Sequence, residues 1–223
     1  MSDFEKARRQ MVDCQIRPND ITDFDVISAF SAVPREEFLP SDKKMIAYID
    51  RDLNIEASSH PERERYLIQV TPFAKMVQAA SIAADEFVLC VGSGCGYGAA
   101  VIARLADSVI GLEESESLVA RASDVINNLA IENLAIVRGE LAKGYLLEAP
   151  FDVIIIEGAV ESVPDTLFKQ FKDHGRLVCV VGHGLSGVIH LYRKTGDDIS
   201  LRRLGNASLP VLPGFAHEKG FVF

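Results

Sequence analysis

Residues 88–98 read V-L-C-V-G-S-G-C-G-Y-G, and no other stretch limits the possible folds as tightly. An apolar run short enough for a buried strand ends in glycines at 92, 94, 96 and 98, and a stretch suited to a helix follows. Glycine lets the backbone turn sharply and approach a ligand with no Cβ in the way. Strand, glycine turn and helix in that order mark the place where an open α/β sheet binds ligands. The chain around this segment agrees. Strands are expected at 87–91, 108–112, 134–137, 153–156 and 176–181, with helices near 97–106, 115–130 and 163–171. Strands followed by helices at this spacing mean crossover units and a mostly parallel sheet with helices on both faces. The runs 187–193, 200–204 and 220–223 read as strands without intervening helices, which gives the sheet an antiparallel edge.

Upstream, apolar residues at Phe4, Ala7, Met11 and Cys14 have helical spacing, so a helix is expected over 4–17. Asp23 is placed to cap a second helix over 24–31. Residues 50–66 are polar and read as an exposed loop. Thr71-Pro72 then reads as an N-cap followed by proline at the first helical position, with the helix running to about Ala84. Residues 1–223 are expected to form one unit. Within it, 1–84 is a helical and loop region, and 85–223 is an α/β core that carries the ligand-binding turn.

The glycine spacing also bears on the cofactor. A dinucleotide fingerprint that begins at Gly92 and Gly94 wants its third glycine at position 97, which is Tyr97 here. A pyrophosphate also seeks a helix N-terminus at close range. S-adenosylmethionine has no phosphate to place, so Gly92, Gly94 and Gly96 favour that nucleoside-type cofactor over NAD. The second strand ends in Glu113, and a carboxylate at that tip can accept hydrogen bonds from both ribose hydroxyls; a charge opening the next helix is the competing role. Past the third strand, Glu140 is placed to accept from an adenine amino group and Leu141 to pack on the ring, with a plain exposed turn as the alternative.

Composition excludes other classes. The net charge of −9, with 25% charged residues, argues against a polyanion-wrapping role, so no nucleic-acid partner is expected. Charges begin at the third residue with no apolar run behind them, so neither a signal peptide nor a membrane anchor is expected, and the chain reads as cytoplasmic. Cys14, Cys90, Cys95 and Cys179 form no Cys-x-x-Cys pair and read as reduced thiols; no metal site is expected. His60, His174, His183, His190 and His217 are scattered and do not suggest a general base.

At this point a resemblance enters. Residues 88–98 and V-I-G-L-E at 109–113 resemble the cofactor motifs of class I methyltransferases. M-V-D-C-Q-I at 11–16, V-P-R-E-E-F-L-P at 33–40, A-Y-I-D at 47–50, G-E-L-A-K-G-Y at 139–145, A-P-F-D-V-I at 149–154 and G-R-L-V at 175–178 together resemble protein-L-isoaspartate O-methyltransferases. The resemblance implies a Rossmann-like class I methyltransferase sheet with an N-terminal helical extension. It also implies S-adenosyl-L-methionine as cofactor and a protein or peptide carboxylate as acceptor, whose methylation starts the repair of isoaspartyl residues.

Three departures accompany it. The family's T-I-S-Q-P segment falls on Tyr66-Leu67-Ile68-Gln69-Val70, so Gln69 matches but the serine position holds Ile68. Thr71 is the nearest displaced hydroxyl. The family's acid at the end of the first strand is Cys90 here, and its small residues after the fourth strand are Glu157-Gly158.

A carboxylate acceptor has a pKa of about 4 and is already ionised at neutral pH, so it needs alignment and exclusion of water rather than a base. Gln69, Thr71 and Glu157 are the acceptor-side candidates. Isoaspartyl-type carboxyl methylation is the leading reading. A methyltransferase with another acceptor, oriented or deprotonated by Glu157, and a non-catalytic S-adenosylmethionine binder are the alternatives.

Overall fold

The computed structural model describes residues 2–60 and 63–215, so the strand expected over 220–223 and His217 lie outside the described residues. Helix α1 (Asp3–Met11) is opened by a capping box in which Ser2 and Glu5 satisfy each other's backbone N–H groups. The expected helix over 4–17 continues past α1 as a π turn at Val12–Ile16 and a 3-10 turn at Arg17–Asn19. Asp23 caps α2 (Phe24–Ala32) by accepting from Asp25 and Val26 N–H, as its position in the sequence suggests.

The polar stretch 50–66 is not a plain loop. Strands β1 (Leu53–Glu56) and β2 (Arg65–Leu67) pair antiparallel within it and form a two-stranded sheet of their own. Each buries alternate residues, with Leu53 and Ile55 on one strand and Arg65 and Leu67 on the other pointing inward. Helix α3 (Val70–Ala80) starts one residue before Thr71 and stops short of Ala84. Its N-cap position is Gln69, so Thr71 lies inside the first turn rather than capping it.

Strands β3 (Phe87–Val91), β4 (Ser108–Glu113), β5 (Leu134–Arg138), β6 (Phe151–Val160), β7 (Phe171–Val181), β8 (Val188–Thr195) and β9 (Asp198–Asn206) form one sheet in the order β5-β4-β3-β6-β7-β8-β9. Pairing is parallel from β5 to β7 and antiparallel at β8 and β9, as the helix-free C-terminal runs imply. Alternation along the strands sends Val88, Cys90, Val153 and Ile155 to one face and Leu89, Val91, Ile154 and Ile156 to the other. The first face is covered by α3, α4 (Tyr97–Ala103) and α5 (Glu116–Asn128). The second is covered by the short α6 (Asp165–Phe168), a 3-10 turn at Leu141–Lys143, and Leu212 with Phe215. Each fully buried Val, Leu or Ile contributes about 1.5–3 kcal/mol, so the near-continuous apolar runs of β3 and β6 and the 177–181 half of β7 fix the centre of the sheet.

Two features shape the end of the sheet where β3 meets its glycine turn. The β6–β7 register shifts between Ile155 and Ala159, an irregularity that contains Glu157 and Gly158. The chain after β9 then returns to β6. Val211 bridges Ala159, and the Ala159 N–H and carbonyl bond Pro210 O and Leu212 N at 2.9 Å each.

Candidate functional site

The turn after β3 is built on positive φ. Gly92, Gly94 and Gly96 stand at 77°, 55° and 89°, in the left-handed region that glycine enters without strain. Gly92 and Ser93 N–H both donate to Leu112 O, at 2.8 and 3.1 Å, which pins the turn to the tip of β4. Gly96 forms the N-cap position of α4. A Cβ there would lie 3.1 Å from Ala122 Cβ, so α5 packs directly against this turn.

Glu113 organises the site from below. Its side chain is fully buried, and its carboxylate accepts from Gly94 N–H at 2.8 Å, Glu114 N–H at 2.9 Å and Ser115 N–H at 3.1 Å. Arg65 adds two more bonds, Nη2 to Oε2 at 2.7 Å and Nε to Oε1 at 3.2 Å, and also donates to Gly92 O at 3.1 Å. A carboxylate offers about four lone-pair sites, so five donors saturate it. Burial alone would push the Glu113 carboxyl up; the Arg65 guanidinium and the N–H donors outweigh it and hold the group below its ordinary value. The alternative role, a charge ahead of α5, is present too, because Ser115 is the N-cap of that helix.

Arg65 arrives on the β1–β2 hairpin, which lies over the turn. Ile55 Cδ1 sits 3.1 Å from where a Gly94 Cβ would be, Ser115 Oγ donates to Glu56 at 2.8 Å, and Ser117 Oγ bonds the same carboxylate. On the other side, Leu212 packs on both Gly92 and Gly158, 2.8 and 2.6 Å from the positions their Cβ atoms would take. Between hairpin and C-terminal segment lies a cleft of about 970 Å³, walled by Glu56, Arg63, Arg65, Glu113–Glu116, Arg138, His183 and Val211–Gly214.

Glu157 sits beneath the turn, outside these walls. It accepts from Cys90 Sγ at 3.4 Å and lies against Gly98. Burial pushes its carboxyl up to about 8, with Cys90, Arg65 and Arg35 pulling only partly the other way. The Cys90 thiol is pushed well above its usual value by burial and by the same carboxylate.

The remaining sequence candidates fall elsewhere. Glu140 is exposed and paired with Lys143 at 2.6 Å, while Leu141 is buried in the apolar cluster of the second sheet face, so neither belongs to the cleft wall. The Gln69 N–H donates to Asp52 Oδ1 at 2.8 Å, and the Thr71 hydroxyl donates to Gln15 O at 2.8 Å, which commits it to holding the π turn after α1 against α3. Ile68 is buried, and its carbonyl accepts from Arg35 Nη2 at 2.8 Å. That arginine, in the V-P-R-E-E-F-L-P motif, also donates to Ala47 O at 2.8 Å and stacks 4.7 Å over the Tyr97 ring. The N-terminal motifs thus tie the helical extension to the helix that follows the glycine turn.

Arg65 and Leu212 escaped the sequence reading. The alternation Leu53-Asn54-Ile55 was the available sign that 50–66 contains a strand, and a strand there would have needed a partner such as Arg65–Leu67.

Comparison with known proteins bears on what this arrangement is. Residues 6–209 match the family model of protein-L-isoaspartate (D-aspartate) O-methyltransferases. The chain belongs to that family. A protein-L-isoaspartate O-methyltransferase from Koribacter versatilis is 33% identical over 96% of this chain and 94% of its own. One from Opitutus terrae is 38% identical over 80% of this chain and 76% of its own. Among solved structures, a protein-L-isoaspartate O-methyltransferase superposes with a TM-score of 0.81 at 26% identity, covering 93% of this chain and 66% of that longer chain. A Plasmodium falciparum structure of the same type, solved with S-adenosyl-L-homocysteine, gives a TM-score of 0.76 at 19% identity over 97% of this chain and all of that one, and bears on the fold alone.

Proposed function

We propose that this chain transfers the methyl group of S-adenosylmethionine to a carboxylate of isoaspartyl type in a protein or peptide. The observation that carries the reading is the family match over 6–209. The site agrees with it in kind. A glycine turn at positive φ meets a buried carboxylate at the tip of β4, and the buried Ser93 hydroxyl beside them has no hydrogen-bond partner. The adjoining cleft of about 970 Å³ falls within the range of roughly 300–1,000 Å³ usual for small-molecule sites. When bound, the cofactor would supply an electrophilic methyl group on a sulfonium.

On this reading Gly92, Gly94 and Gly96 give the backbone its close approach and Glu113 takes the ribose. Residues 114–116 and 138 line the cleft beside Glu113 and are neighbours that the base would meet there. An acceptor carboxylate needs no proton removed, and Glu157, shut beneath the turn, serves to support it rather than to act as a base. The chain is read as one methyltransferase unit that works in the cytoplasm; no helix among the described residues is long and apolar enough to cross a membrane.

A different acceptor is a second reading, favoured by one observation: Ile68 is buried and the Thr71 hydroxyl is committed to Gln15, so neither presents a group to an acceptor. One experiment separates the two. Methyl-labelled cofactor is incubated with the protein and an isoaspartyl peptide, with the aspartyl peptide as control. The proposal expects a base-labile ester that releases labelled methanol from the isoaspartyl peptide alone. A base-stable product, or label only in a cell extract, would overturn it.

A further inference from the structure

The carboxylate assigned to the ribose is already full. Glu113 accepts five N–H bonds, two of them from Arg65, and lies wholly inside the protein. Three of the five come from the backbone of the turn and of the chain leading into α5 and cannot leave without unmaking the site. The two from Arg65 can, because they come from a side chain on the wall of the cleft rather than from the backbone of the turn. The hairpin strands themselves stay put: Leu53, Ile55 and Leu67 are buried in the main apolar core, and Lys43 Nζ donates to Asn54 O at 2.6 Å. Arg65 bonds Glu113 and Gly92 O, Glu56 takes two serine hydroxyls at the start of α5, Ile55 rests on Gly94, and Arg121 donates to Ile55 O at 3.3 Å.

We propose that Arg65 is a latch that competes with the ribose diol for Glu113, its guanidinium swinging off the carboxylate into the cleft as the nucleoside binds while the hairpin strands stay packed. The proposal rests on the cofactor assignment above and adds to it the residue that sets cofactor affinity. The chemistry is an exchange of donors. Two ribose hydroxyls replace two guanidinium N–H groups on the same oxygens, so the buried carboxylate is never left bare. The displaced guanidinium stays in a cleft whose walls carry Glu56, Glu114 and Glu116 beside Arg63 and Arg138, so it moves into a charged, polar surround rather than an apolar one. The ligand class follows from the same geometry: a nucleoside with both hydroxyls free competes for Glu113, and one without them does not.

The test uses S-adenosyl-L-homocysteine and two measurements. Calorimetry on the full chain compares wild type with Arg65→Gln, which keeps a polar side chain but loses the charge and the fork. A latch in competition costs the wild type affinity, so the variant is expected to bind about tenfold tighter or more. Hydrogen exchange on the wild type gives an independent reading that needs no variant to fold. Ligand binding is expected to speed exchange at the Arg65 Nε–H, which sits on Glu113, while slowing it at the amides of 92–96. Equal or weaker binding by Arg65→Gln, or an Arg65 Nε–H slowed by the ligand, overturns the latch and leaves the cofactor assignment standing. Absence of binding by both proteins overturns the assignment itself, and the latch with it.

Discussion

Glu157 and Gly98 share one space: a Cβ built at Gly98 would stand 2.2 Å from Glu157 Oε2 and 2.5 Å from its carboxyl carbon. The missing side chain at 98 makes room for the carboxyl at 157. The same carboxyl accepts a hydrogen bond from the Cys90 thiol on the neighbouring strand β3.

Gly98→Ala should therefore force Glu157 to move, and overpacking of this kind costs about 1–3 kcal/mol. In the double variant Gly98→Ala/Glu157→Ser most of that cost should disappear, because the two positions touch and their effects are coupled. Urea unfolding of the four proteins closes the cycle; additive effects would show that the contact is absent in solution.

Glu157 also sets a pH dependence. Its carboxyl titrates near 8 when folded and near 4.5 in an unfolded chain. Between those values the unfolded state gives up a proton that the folded state keeps, so stability is greatest below about pH 4.5 for this group and falls until about pH 8. The slope is at most about 1.4 kcal/mol per pH unit. Glu157→Gln should remove it, so the variant gains on wild type as pH rises from 5 to 8. Parallel curves of melting temperature against pH would show that the carboxyl is already ionised.

Glu113→Ala leaves the Arg65 guanidinium buried without its partner and orphans the Gly94 N–H. Breaking a buried pair from one side costs about 3–5 kcal/mol. Chemical denaturation should report a loss of that size, and a loss under about 1 kcal/mol would mean that the pair does not form in solution.

Gly94→Val places a branched side chain at a φ of 55°, with Ile55 only 3.1 Å from the new Cβ. Backbone strain in that region costs about 1–3 kcal/mol. The variant should fold with a lowered melting temperature and bind no S-adenosyl-L-homocysteine by calorimetry. Retained affinity would place the ligand away from the turn.

Ile68→Ser tests the family's serine position directly. The side chain is buried, so the change removes apolar contacts and leaves a hydroxyl in the core, at a cost of about 2–5 kcal/mol. Lower thermal stability with no gain in turnover on isoaspartyl peptide is expected. A gain in turnover would mean that the segment turns Ile68 toward the cleft when the acceptor binds.

How much of this was legible in the sequence depends on the range of the interaction. The positions of the parallel strands along the chain followed from apolar runs such as 87–91 and 153–156, because a strand buried on both faces must be apolar throughout. The glycine turn followed from its spacing, and the Asp23 cap from its local chemistry. Arg65 did not follow, because its partner lies 48 residues away and an isolated arginine among Glu62, Glu64 and Tyr66 reads as solvated. Leu141 was assigned to a ring because it follows a strand tip. The apolar cluster on the second sheet face claims it instead, together with Leu167 and Phe171 from a later part of the chain. Thr71-Pro72 looked like a cap and first turn. The helix begins one residue earlier because Asp52, across the hairpin, takes the Gln69 N–H.

The contact of Leu212 with Gly92 and Gly158 has a consequence for biosynthesis. A chain emerging from the ribosome has its glycine turn more than a hundred residues before the leucine that roofs it. Strands β3 to β7 can pair while that roof is still untranslated, leaving the backbone of the turn open to water and to other apolar surfaces in the meantime. The cleft is therefore among the last parts of the molecule to be finished.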